Sequence, residues 1–318
     1  MKKNLSIKLF TFMMITGTLI TLSSNNWMMM WMGLEINMIS FIPLIQSFKS
    51  KNSSEASMIY FLTQSLGSMI LLFSVMAPFG MPTMTKMSIL LKMGGAPMHF
   101  WMVEIMEKLP WFNCMLLMTW QKLAPMIMML QMKNLTQLAM ISVLVGAIGG
   151  LNQISIRKMM AFSSINHMGW MMAIMEIKPL ATMKYLIIYM LMMVMLITTL
   201  DKKKILMFNQ MTSKMNKMQK INVAFMMMSM GGLPPFLGFS AKWIIVQEMI
   251  TAGMSSMIIM MIMFSLITLF FYVRMISTVM MMEYHSMKIE TPVKTTKSEI
   301  MMMLMNMFML PVSANMLI

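Results

Sequence analysis

The 318-residue chain is 58% hydrophobic and only 11% charged, with a net charge of +15. Soluble domains carry about 25% charged residues, so a water-soluble fold is excluded. The single cysteine, Cys114, excludes a disulfide framework and any iron–sulfur cluster held by this chain alone.

Repeated apolar windows of roughly 20 residues match the thickness of a bilayer core. Stretches such as YLIIYMLMMVMLITTL lack the alternation that a membrane barrel needs. The class is therefore an all-α polytopic membrane protein. No glycine-rich phosphate-binding loop occurs. The 62 methionines are spread along the whole chain and read as adaptable apolar filler, not as a metal-binding cluster.

Hydropathy places eleven spans near residues 4–24, 26–46, 57–77, 84–107, 112–131, 134–152, 156–176, 180–200, 221–252, 254–282 and 300–317. SSNNW follows the first of them instead of a small-residue cleavage site. That span reads as a retained helix of a protein inserted where it is made. Seventeen of the 25 basic residues then fall on the N-terminal side of the membrane, six of them lysines of loop 201–220. Lys86, Lys133, Lys178 and Lys184 fall on the other side, and Lys92, Lys122, Lys242 and Arg274 lie inside spans. This asymmetry predicts an N-terminus facing the compartment of synthesis and a C-terminus facing the other, and it accounts for the basic excess without nucleic acid.

Two spans are interrupted, the fourth by KMGGAPMHFW at 92–101 and the ninth by GGLPPFLGFSAKW at 231–243. Each is the fourth in a group of five. Paired interruptions at corresponding places point to inverted repeats with the working site at the breaks. The reading is one membrane domain, 1–318. Repeat one covers about 4–131 and repeat two about 134–282, followed by a polar loop 283–299 and a last helix 300–317.

A charge at mid-bilayer costs about 2.5–3.5 kcal/mol on insertion scales, yet Glu35, Lys92 and Lys122 lie about the middle of spans 2, 4 and 5. Lys242 follows the break in span 9. Proton relay is the chemistry this set offers. A lysine can release a proton only where burial offsets its preference for the charged form, and a movable carboxylate reverses that offset. A Glu35–Lys92 pair would act as such a switch. Broken helices also bare backbone groups that protein or water must satisfy, which predicts water beside Lys92 and Lys242. His99 and His167 are further proton-passing candidates, each set against a role as a hydrogen-bonded packing residue. Glu104, Glu248 and Arg274 lie where side chains snorkel to an interface, with Glu104 and Glu248 kept as secondary candidates. His285 falls in the polar loop. No histidine pair has metal-ligand spacing with a third donor, so no metal is expected.

In order, WMGLEINMISFIPL, YFLTQSLGS, LLKMGGAPMHFWMVE, LMTWQKLAPM, GGLNQISIRKMMAFSSINHMGWM and SMGGLPPFLGFSAKWIIVQEM cover residues 27 to about 250. They resemble the chain 2 family of antiporter-like membrane-arm subunits of the mitochondrially encoded NADH:ubiquinone oxidoreductase, respiratory complex I. The resemblance implies eleven helices in the mitochondrial inner membrane, with the N-terminus on the matrix side and the C-terminus on the intermembrane-space side. It implies a proton relay through Glu35, Lys92, Lys122 and Lys242, and no redox catalytic residue in this chain. NADH, FMN, iron–sulfur clusters and ubiquinone would be used by other subunits. The partners it implies are neighbouring antiporter-like and small membrane-arm subunits, together with membrane lipids such as cardiolipin. A self-sufficient cation/proton antiporter is an alternative, although a sodium site would want clustered carboxylates and only Glu35 lies at mid-membrane. A structural assembly subunit is another, but it would have no use for three buried lysines.

Overall fold

The computed structural model describes residues 2–47, 50–77 and 81–281, all-helical apart from one isolated bridge between Ser155 and Met207. The expected loop 283–299, the last helix 300–317 and His285 lie outside these residues. The chain divides into two compact units, 1–135 and 136–318.

The first unit holds α1 (Lys2–Ser23), α2 (Trp27–Gln46), α3 (Lys51–Met76), α4 (Pro82–Met93), α5 (Phe100–Lys108), α6 (Trp111–Met118) and α7 (Trp120–Leu130). The second holds α8 (Thr136–Gly150), α9 (Ile156–Ile174), α10 (Pro179–Lys203), α11 (Phe208–Lys214), α12 (Lys217–Gly231), α13 (Leu237–Thr251) and α14 (Ser255–Met281). Among the described residues, the helices long and apolar enough to cross a membrane alone are α1, α2, α3, α10 and α14.

Lipid offers no hydrophobic drive to bring helices together, so close backbone contact does that work. A Cβ at Gly17 would stand 2.9 Å from Gly33 O and from Asn37 N, so α1 lies directly on the backbone of α2. The opening pair of the second unit meets in the same way. There a Cβ at Gly146 of α8 would stand 2.6 Å from Asn166 N and 2.8 Å from Phe162 O of α9. Gly17→Val is expected to cost about 1–3 kcal/mol through overpacking, seen as less chain recovered from the membrane fraction.

The interrupted spans end by one device. Gly94 and Gly232, at φ +71° and +82°, close α4 and α12 in the left-handed conformation. Gly94 N and Gly95 N reach back to Leu91 O (3.2 Å) and Leu90 O (2.9 Å); Gly232 N and Leu233 N reach Ser229 O (3.0 Å) and Met228 O (3.3 Å). Both are the crossed pair of bonds that ends a helix at a glycine.

The fifth expected span differs from its continuous reading, because it divides into α6 and α7 at Thr119. Thr119 Oγ1 takes Met115 O at 2.6 Å, alongside its own backbone N–H. Six residues on, Pro125 has no N–H to give the preceding turn. Loop 201–220 likewise contains α11, which its polar sequence does not announce.

Candidate functional site

In the first unit, Glu35 Oε1 of α2 accepts a hydrogen bond from Lys92 Nζ of α4 at 3.1 Å, forming an ion pair. The lysine side chain is 2% exposed and the glutamate 19%. Room for the lysine stem comes from Gly67 of α3, where a Cβ would stand 3.1 Å from Lys92 Cγ. Lys92 sits two residues before the glycine that ends α4, so its backbone carbonyl lacks a helical partner. Gln64 Nε2 of α3 donates to that carbonyl at 3.2 Å. Trp101 Nε1 of α5 donates to Leu91 O at 2.9 Å. Gln64 thus satisfies the carbonyl that the break leaves without a helical partner, and Trp101 adds a second donor to Leu91 O beside the Gly94 N–H.

Lys122 lies on α7, 2% exposed. Its neighbour Gln121 links three helices. Gln121 Nε2 donates to Asn37 Oδ1 of α2 at 3.0 Å, and Gln121 Oε1 accepts from Tyr60 OH of α3 at 3.4 Å. These amides and the phenol join the helices that carry Glu35 and Lys122. Gln64, Gln121 and Asn37 all stand in apolar spans, and that placement was the available signal for them. Windowed hydropathy averages such single polar residues away.

In the second unit, Lys242 Nζ of α13 donates to Gly231 O at 2.7 Å, the last residue of α12. A Cβ at Gly232 would stand 3.0 Å from this Nζ, so glycine again makes room for a lysine at the break. The ammonium stands 5.8 Å from the centre of the Trp170 ring, within cation–π range. One turn earlier on α9, His167 Nδ1 is 2.7 Å from Tyr185 OH, and its ring centre lies 5.1 Å from that of Tyr189. His99 is buried inside the first break, with Nδ1 3.1 Å from Pro97 O and its ring against Phe100.

Glu104 lies midway along the short helix α5, and Glu248 lies near the end of α13. Glu104 pairs with Lys108 at 2.9 Å, and Glu248 with Lys178 at 2.7 Å. More than half of the Glu104 and Lys178 side chains is exposed, so these are surface pairs of the kind worth under about 1 kcal/mol. Arg274 is exposed on α14.

Residues 24–93 and 82–271 match the family model described as NADH:quinone oxidoreductase/Mrp antiporter, TM. NADH-ubiquinone oxidoreductase chain 2 of Anopheles gambiae is 41% identical over 302 residues, covering 89% of this chain and 88% of the relative. The Locusta migratoria protein of the same name is 37% identical over 324 residues, covering 96% and 94%. Among solved structures, a chain of respiratory complex I from Thermus thermophilus with bound aureothin aligns with a TM-score of 0.78 at 20% identity, covering 96% of this chain and 79% of that one. A chain of the Mrp complex from Dietzia sp. aligns with a TM-score of 0.72 at 16% identity, covering 84% and 59%.

Proposed function

Because this chain belongs to the NADH:quinone oxidoreductase/Mrp antiporter family, among the NADH-ubiquinone oxidoreductase chain 2 proteins, we propose that it serves as a proton-translocating membrane-arm subunit of respiratory complex I in the mitochondrial inner membrane. Electron transfer from NADH to ubiquinone takes place in other subunits, and this chain holds no redox centre. Its neighbours are other antiporter-like and small membrane-arm subunits. The chain crosses the membrane eleven times, with its N-terminus in the matrix and its C-terminus in the intermembrane space. Two inverted five-helix repeats make up the first ten crossings. The matching glycine closures at Gly94 and Gly232, and the matching glycine contacts of α1 with α2 and of α8 with α9, support that reading.

The observation that carries the function is the Glu35–Lys92 pair, an ion pair within apolar spans beside a broken helix. With Glu35 in contact, the buried ammonium is compensated. When the carboxylate swings away, the charge is left in a low-dielectric site and the proton passes on. Lys122 forms the middle of the relay and Lys242 its far end, with His99 beside the first break. Moving each charge against 100 mV needs about 2.3 kcal/mol, which quinone chemistry elsewhere in the complex provides.

Native purification separates this reading from a free antiporter. The chain is expected to migrate only within a large assembly having NADH:ubiquinone reductase activity, and migration alone with cation/proton exchange would overturn the proposal.

A further inference from the structure

We propose that a recess of about 490 Å³ at the basic end of the second unit holds the phosphate headgroup of an anionic phospholipid. The proposal stands on chemistry separate from the proton relay. One wall is a face of α14, where Phe271, Arg274, Met275 and Thr278 recur at helical spacing. Opposite it are Asn152 and Gln153, after α8, and Asn209, at the start of α11.

The connections around the recess are held together by backbone bonds. Ser155 bridges Met207, and Ile156 N donates to Leu206 O at 3.1 Å. A Cβ at Gly150 would stand 2.7 Å from the Phe271 ring, so α14 seats directly on the end of α8. The cavity thus lies among fixed backbones.

Among the described residues, one guanidinium, three side-chain amides and one hydroxyl line the space, and no carboxylate does. Arginine and amide N–H groups are the donors that bind phosphate oxygens. Among the described residues, the end of α10, Lys204 after it, α11 and the start of α9 carry Lys202, Lys203, Lys204, Lys214, Arg157 and Lys158 against one acid, Asp201. Such a field favours an anion at the membrane surface.

A lipid, as opposed to a free phosphate, follows from what continues out of the recess. Arg274 stands near the end of an apolar span, and the same helix exposes Ile259, Met263, Leu266 and Phe270 in a stripe leading up to it. Acyl chains can lie along that stripe while the headgroup meets Arg274.

The test uses the assembled, delipidated complex returned to phosphatidylcholine vesicles doped with photoactivatable phosphatidylglycerol. Cross-links are expected on the peptides around Asn209 and Arg274, competed by phosphatidylglycerol but not by phosphatidylcholine or inorganic phosphate. Arg274→Gln is expected to lower labelling about fivefold, the factor for one basic group at an anionic surface, while Arg274→Lys keeps most of it. Asn209→Ala, on the exposed α11, is expected to lower labelling as well and decides the matter should Arg274→Gln fail to assemble. Equal labelling from phosphatidylcholine, competition by inorganic phosphate, indifference to both variants, or a protein chain cross-linked in place of lipid would each overturn the proposal.

Discussion

Lys122→Met is expected to lower NADH:ubiquinone turnover of the assembled complex at least tenfold while the complex is recovered in near-normal amount. The methionine side chain matches the apolar stem of lysine, and α7 is already rich in methionine, so packing survives. What is lost is a group that can hold and release a proton at a position 2% exposed to solvent. Lys122→Arg separates that role from a structural charge. Arginine keeps the positive charge but does not deprotonate in proteins, so a relay fails with arginine as with methionine. A purely structural cation would be rescued by it. Turnover within twofold of wild type for either variant would contradict the relay.

The second large effect is expected for Glu35→Gln. Removing one member of a buried pair leaves the other as an uncompensated charge, at a cost of 3–5 kcal/mol in typical cases. Glu35 keeps 19% exposure, so the expected loss is about 3 kcal/mol, at the lower end of that range. It is read as a fall of more than tenfold in assembled complex. Glu35→Gln combined with Lys92→Met removes both charges, and assembly is expected to recover while proton transport does not. Non-additivity of this kind is the signature of directly interacting side chains. Assembly losses that simply add would show that the contact at 3.1 Å contributes nothing.

The charged positions were legible because each breaks a strong rule: hydrocarbon does not tolerate Glu35, Lys92 or Lys122 without a reason. The breaks were legible for the same cause, since GGAP and GGLPP cannot continue a helix, and both do end at Gly94 and Gly232. What stayed hidden depends on partners distant in sequence. Gln64 shows as one amide in YFLTQSLGS, and nothing in that stretch says that it meets the carbonyl of Lys92. Nor does Gln121 declare its bonds to Asn37 and Tyr60. The break at Thr119 was missed because threonine is common within membrane helices. There the backbone leaves helical geometry at Thr119, whose hydroxyl and N–H share Met115 O, a contact that no residue type announces. The pairing of Glu104 with Lys108 follows from the short helix α5, whose bounds hydropathy fixes only loosely, and that of Glu248 with Lys178 joins residues distant in sequence.

The most direct test of the central claim is the rate of proton movement, measured together with NADH oxidation in sealed vesicles with the Glu35→Gln/Lys92→Met complex. That variant keeps the helices neutral and packed but removes the first exchange partners of the relay. Proton movement is expected to fall at least tenfold below wild type under the same driving conditions, with electron entry from NADH to an artificial acceptor unchanged. A wild-type proton yield per NADH at wild-type turnover would contradict the account.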